Sequence, residues 1–78
     1  MGQERTVGQL MREMEHLTGF KVRLKLASGI YYLEGPDGQR SSTGDVGYNG
    51  LLSPRDQESI CESLGFDASL LGLTPRES

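Results

Sequence analysis

Two side chains in this sequence have the chemistry of a nucleophile and a base, Cys61 and His16. Each is the single residue of its type among the 78 residues. A thiolate beside an imidazole can attack acyl groups, but the two must lie within hydrogen-bond reach, with a third group orienting the base. His16 falls off the apolar stripe of one predicted helix, and Cys61 falls on the stripe of another. We therefore expect an exposed histidine, a buried thiol and no enzyme active site.

Ligands for a metal or a nucleotide are scarce as well. A zinc site needs a cluster of ligands, whereas the carboxylates here are dispersed along the chain. A phosphate-binding loop needs a Gly-Lys-Ser/Thr sequence, and none accompanies Gly44, Gly47 and Gly50. The sequence predicts no metal and no cofactor.

The most informative pattern is a stripe of basic residues with apolar residues between them. Its members are Lys21, Arg23 and Lys25, which alternate with Phe20, Val22, Leu24 and Leu26. A period of two predicts a strand with one apolar and one basic face. A solvated strand face, a protein interface and a nucleic-acid surface are the three interpretations of the basic side.

A hairpin follows from this strand, because Ser28-Gly29 suits a two-residue turn and residues 30–34 suit a returning strand. The predicted apolar pairs are Leu24 with Leu33 and Leu26 with Tyr31, and the predicted outer pairs are Lys25 with Tyr32 and Arg23 with Glu34. A slip of one residue would mix the two faces. On a solvated face, Arg23 and Glu34 would form a cross-strand ion pair.

Two amphipathic helices are expected on either side of the hairpin. The first begins at a Thr6–Gln9 capping box and ends at Gly19, and its apolar residues are Val7, Leu10, Met11, Met14 and Leu17. The second begins at Ser53-Pro54 and ends at Gly65, and its apolar residues are Ile60, Cys61 and Leu64. Asp67 is expected to cap one further turn, after which Leu70, Leu71 and Leu73 pack back on the domain.

Residues 35–50 contain five glycines and are predicted to form a long glycine-rich loop that carries Tyr48. Residues 39–43 within it fit a short polar edge strand at most. Loops of this length in a compact domain are usually functional or disordered.

These elements give an α+β fold of order α-β-β-(β)-α, with two helices packed on one face of a short antiparallel sheet. We expect a single domain over residues 6–73, a disordered N-terminus over 1–5 and a frayed tail over 74–78. The order resembles that of double-stranded-RNA-binding domains. Those domains carry a lysine cluster at the start of their last helix, whereas residues 53–58 here read Ser-Pro-Arg-Asp-Gln-Glu.

The functional expectation is a non-catalytic protein-binding module. Its expected contact residues are Lys21, Arg23, Lys25, Tyr32 and Tyr48. A nucleic-acid-binding module on the same basic face is the alternative, although a net charge of −3 argues against a dedicated one. Pairing of two copies through a strand edge is a further possibility.

Small size and mild acidity are typical of accessory or inhibitory proteins of bacteria and phages, including anti-defence proteins. The first residues lack the apolar stretch of a signal peptide, and no apolar run reaches the length of a membrane span. The cytoplasm is the expected compartment.

Overall fold

The computed structural model describes residues 4–44 and 46–73, which form two helices, five short strands and a 3-10 turn. In chain order the elements are β1 (Arg5–Thr6), α1 (Val7–Thr18), β2 (Arg23–Ala27), β3 (Ile30–Glu34), β4 (Arg40–Gly44), β5 (Leu51–Leu52), α2 (Pro54–Leu64) and a 3-10 turn (Ala68–Leu71). Strands β2, β3 and β4 form an antiparallel sheet in that order, and β1 pairs with β5 in a separate antiparallel ladder. The predicted α+β class is confirmed.

The helix ends lie where their capping residues predict. The Thr6 side chain accepts a hydrogen bond from the Gln9 amide at 3.1 Å, and the Gln9 side chain accepts one from the Thr6 amide at 2.8 Å. Ser53 caps α2 by accepting from the Asp56 amide at 3.2 Å. Each satisfied amide would otherwise lack an intrahelical partner, so these bonds fix where the helices begin.

The hairpin of β2 and β3 has the predicted register. All five pairs are observed, from Ala27 opposite Ile30 at the turn to Arg23 opposite Glu34 at the open end. Ser28 and Gly29 have φ angles of 53° and 78°, as a type I′ turn requires. The local pattern therefore determined which residues share each face.

The segment 35–50 is divided by a strand. Residues 40–44 form β4, one residue beyond the strand expected at 39–43, and an irregularity between Tyr31 and Tyr32 shifts its pairing with β3. The Thr43 hydroxyl in this region donates to the Val46 carbonyl at 2.8 Å. The glycine-rich segment thus consists of a turn, an edge strand and a second turn.

One apolar core lies between the helices and the inner face of the sheet. Its buried members are Val7, Leu10, Met14, Leu33, Leu52, Ile60, Cys61, Leu64, Phe66, Leu71 and Leu73. Three residues expected to pack on it are exposed instead, Leu17 at 43%, Leu26 at 60% and Leu70 at 49%. Leu26 and Leu17 lie near element ends, and Leu70 turns outward in the 3-10 turn while Leu71 turns in.

Arg5 also differs from expectation. It was predicted to belong to a disordered terminus, but it lies in β1 and donates to the Gln57 side chain at 2.8 Å and to the Leu71 carbonyl at 3.0 Å. Gln57 is fully buried and donates to the Leu52 carbonyl at 3.1 Å. Arg5 and Gln57 together tie β1, β5, α2 and the 3-10 turn to one another. Residues 1–3 of the predicted disordered N-terminus and the predicted frayed tail at 74–78 lie outside the described residues.

Within residues 4–44 and 46–73, neither α1 nor α2 combines the length and the apolar character that crossing a membrane would require.

Candidate interaction surface

The side of the sheet that faces away from the core is a polar surface with aromatic and aliphatic groups on it. The pairing of β2, β3 and β4 places one set of alternating residues there. We call this set the outer face, and its members are Arg23, Lys25, Ala27, Ile30, Tyr32, Glu34, Arg40 and Ser42. Ile30 is 50% exposed, so the outer face offers apolar as well as charged contacts.

Glu34 lies between the basic residues of the outer face. Its carboxylate is 2.8 Å from the Lys25 ammonium and 3.8 Å from the Arg40 guanidinium. The hydrogen bond from Lys25 lowers the pKa of Glu34 below its ordinary value. The expected ion pair with Arg23 is therefore replaced, because Lys25 reaches Glu34 diagonally although Arg23 lies directly opposite it.

Arg40 is a member of this surface that the sequence interpretation missed. It lies opposite Glu34 in the β3–β4 ladder, and its guanidinium carbon is 5.2 Å from the centre of the Tyr32 ring. That distance permits a cation–π interaction. Residues 35–38, between Glu34 and Arg40, read Gly-Pro-Asp-Gly, which is typical of a turn. A strand without apolar residues, however, gives no pattern from which its register could be predicted.

Positive charge is concentrated near this sheet. The outer face and Lys21, which is exposed just before β2, together hold four of the eight basic residues of the chain and one of its eleven acidic residues. Arg23 and Lys25 are exposed and Tyr32 is half-buried. The surface is thus basic in a chain whose net charge is −3.

Tyr48 does not lie on the outer face; it contacts the first turns of α1. Its carbonyl accepts a hydrogen bond from the Gly8 amide at 2.9 Å, its hydroxyl accepts one from Arg12 at 3.4 Å, and its ring lies over Gly8. Tyr48 is 48% exposed. Of the five predicted contact residues, the structure brings Arg23, Lys25 and Tyr32 onto one face and places Tyr48 against the helix.

The nucleophile and the base have the predicted surroundings. Cys61 is fully buried and His16 is exposed near the end of α1. Burial raises the pKa of the Cys61 thiol to about 11, so the thiol is protonated at neutral pH. Among the described residues no group of three or more His, Cys, Asp or Glu side chains could hold a metal ion.

An open groove of about 540 Å³ lies between α2 and the 3-10 turn. Four carboxylates and one guanidinium line it together with Phe66, and these charged residues are Asp56, Glu58, Glu62, Asp67 and Arg55. The Asp67 carboxylate accepts from the Ser69 hydroxyl at 2.7 Å and from its amide at 3.0 Å, and these bonds lower the pKa of Asp67. The groove is acidic and the outer face is basic, so the two surfaces favour binding partners of opposite charge.

Comparisons of this chain with protein-family models, with curated proteins and with solved structures find no match.

Proposed function

We propose that this protein is a non-catalytic protein-binding module that contacts its partner through the outer face of the sheet. The observation that carries the proposal is the grouping of Arg23, Lys25 and Arg40 around Tyr32 and the exposed Ile30 on one face. Arginine and tyrosine are enriched among the residues that dominate binding energy at protein interfaces.

The arrangement of Tyr32 favours a protein partner over a nucleic acid. Single strands bind on sheets chiefly by stacking bases on exposed aromatic rings. Tyr32 is half-buried, and Arg40 lies against its ring. The Tyr32 ring is therefore less available to a base, whereas the exposed guanidinium of Arg23 can contact a carboxylate of a partner.

The burial of Cys61 supports a non-catalytic role in a second way. The one thiol is buried and protonated, and the exposed polar groups of the outer face are charged side chains rather than a nucleophile with a base. Small accessory or inhibitory proteins, including anti-defence proteins of phages acting in the cytoplasm, work by such contacts. The proposal includes that this chain acts in the same way, as a small accessory or inhibitory protein.

The test is a capture experiment from the native host with a charge reversal and a matched control. Arg23→Glu changes the outer face, and Arg55→Glu makes the same change at an exposed position on α2. We expect a specific protein to bind the wild type and Arg55→Glu and to be lost from Arg23→Glu, with all three proteins giving the same far-UV circular dichroism. Equal capture by all three would show that the interface lies elsewhere.

Nucleic-acid binding is tested with the same variants. Phosphate contacts are strongest at low salt, so single-stranded and double-stranded DNA and RNA are titrated at about 50 mM salt. We expect no binding. Binding that disappears in Arg23→Glu would overturn the proposal and identify the outer face as a nucleic-acid surface.

A further inference from the structure

The edge of the three-stranded sheet formed by β2 is open. In the sheet order β2-β3-β4, β2 pairs with β3 on one side, and no strand of the described residues pairs with its other side. Four of its five residues are exposed. An unpaired edge of this kind is a template for a strand from another chain.

The geometry of the hairpin shows which backbone groups are free at this edge. The two residues that flank a type I′ loop exchange both ladder hydrogen bonds, and antiparallel pairs then alternate between bonded and non-bonded. Ala27 and Ile30 flank the loop, so Leu24 and Leu26 fall in non-bonded pairs. Their backbone N–H and C=O groups point away from β3, toward an incoming strand.

The side chains of β2 specify the chemistry of such a strand. Arg23 and Lys25 are exposed on the outer face, whereas Leu24 and Leu26 lie on the opposite face, with Leu26 60% exposed. A strand added here has its alternate side chains beside the two cations and its other side chains beside the leucines. Acidic residues match the first set and apolar residues match the second.

A second copy of this chain is a poor occupant of the same edge. If two β2 strands pair antiparallel with Leu24 opposite Leu24, Arg23 lies opposite Lys25 of the other copy. If they pair with Lys25 at the centre, Lys25 lies opposite Lys25. Both registers place like charges directly across from each other, which is destabilising. A register centred on Leu26 avoids this, but it pairs only residues 25–27 of the five residues of β2. Arg23 and Lys25 therefore disfavour pairing of the β2 edge with a second copy of the chain.

We propose that the free edge of β2 accepts an extended segment of a partner protein in which acidic and apolar residues alternate, so that the segment extends the sheet by one strand. This inference rests on the proposed function and names the partner's chemistry. Backbone hydrogen bonds to Leu24 and Leu26 align the segment, and the cations of Arg23 and Lys25 select its charge.

The test uses the whole protein and a strand-length peptide of about seven residues that alternates Glu and Val. Two further versions carry N-methyl groups, one on every Val amide and the other on every Glu amide. Only one set of alternate amides faces β2 in a paired strand, so we expect one version to lose binding and the other to keep it. A peptide alternating Lys and Val should not bind.

A variant of the protein tests the same contact from the other side. Leu26→Pro removes the outward N–H and leaves the β2–β3 ladder bonds in place, and it should weaken peptide binding about tenfold. Leu26→Ala is the matched control, which keeps that N–H and should bind within about threefold of the wild type. Circular dichroism verifies that both variants fold. If Leu26→Pro does not fold, the methylated peptides still test the inference with the wild-type protein.

Several outcomes would overturn the inference. Equal binding of the two methylated peptides would mean that charge alone holds the segment, which leaves the proposed function intact. Equal binding of the Lys-Val peptide would remove the charge selection. A dimer seen by light scattering without peptide, or an oligonucleotide that binds in place of the peptide, would assign the edge to a different occupant.

Discussion

Single residues near α1 show how one contact can reverse the expected effect of a substitution. Alanine is more favourable than glycine in a helix by about 0.5–1 kcal/mol, so Gly8→Ala should stabilise α1 by propensity alone. A methyl group at Gly8 would overlap the Tyr48 ring. We expect Gly8→Ala to displace that ring from α1, so that its contact and its hydrogen bond with Arg12 are lost and the gain from propensity is cancelled or reversed.

The measurement is a double-mutant cycle by urea unfolding. The Tyr48→Ala background removes the ring atoms nearest to the added methyl group, and there Gly8→Ala should raise the free energy of unfolding by about 0.5–1 kcal/mol. An equal gain in both backgrounds would show that the ring does not restrain Gly8.

The buried thiol of Cys61 makes the free energy of unfolding depend on pH in the alkaline range. Burial raises the pKa of its thiol from 9.0 to about 11. Since the folded-state pKa is above the unfolded-state value, its contribution is complete below pH 9 and is lost as the pH rises through about 11. The stability difference between the wild type and Cys61→Ala should therefore shrink over this range, by on the order of 2 kcal/mol.

The difference between these two proteins isolates the thiol, because tyrosine and lysine titrations are common to both. Chemical unfolding at a series of pH values measures it, and thiol labelling at neutral pH should be slow until denaturant is added. Parallel stability profiles for the two proteins would show that the buried thiol does not titrate as expected.

At the scale of elements, the short strand β1 is held by side-chain hydrogen bonds as well as by its ladder with β5. Arg5 donates to both the Gln57 side chain and the Leu71 carbonyl, and Gln57 is fully buried. Removing Arg5 deletes these two part-buried hydrogen bonds. Each contributes about 0.5–1.5 kcal/mol, so that the two together contribute about 1–3 kcal/mol. We expect Arg5→Ala to destabilise the protein by an amount in this range.

Arg5→Lys is the informative comparison. A single ammonium lacks the fork that lets a guanidinium reach two acceptors at once, so Arg5→Lys should recover less than half of the loss in a thermal or urea melt. Full recovery of stability in Arg5→Lys would indicate that the charge of Arg5, and not the geometry of its guanidinium, stabilises β1. Arg55→Lys at an exposed position on α2 is the control for a general effect of replacing arginine.

Local signals predicted most of the elements, and long-range contacts account for what they missed. The caps at Thr6 and Ser53 and the register of β2 with β3 depend on residues within a few positions of one another, so the sequence contains them. Arg40 lies on the outer face because β4 pairs with β3. The sequence of β4 has no alternating apolar residues from which this register could be predicted. Arg5 could not be predicted, because its partners are 52 and 66 positions away.

The same distinction applies to the candidate surface. Its basic side was predictable, since Arg23 and Lys25 alternate with leucines in the sequence. The exposure of Leu26 was not, because it depends on how far the core extends along the hairpin. Alternation tells which face a residue lies on, and only the packing of the helices tells whether that face is covered.

At the scale of the whole molecule, one core joins both ladders and both helices. Leu33 from β3, Leu52 from β5 and Leu71 from the 3-10 turn belong to the same buried cluster as the helix residues. A domain of this size has only a few kcal/mol of stability, so loss of any part of the cluster should release the rest. We expect unfolding to be a single cooperative transition.

Neighbouring leucines provide a matched test of that expectation. Leu71 is 4% exposed and Leu70 is 49% exposed, so Leu71→Ala should cost about 2–5 kcal/mol and Leu70→Ala less than about 0.5 kcal/mol. Because the core is shared, Leu71→Ala should shift the urea midpoints of far-UV circular dichroism and tyrosine fluorescence by the same amount, although the tyrosines lie in the sheet and beside α1. Separate midpoints for the two signals would mean that the sheet and the helices unfold independently, and that the 3-10 turn stabilises only the α2 side of the core.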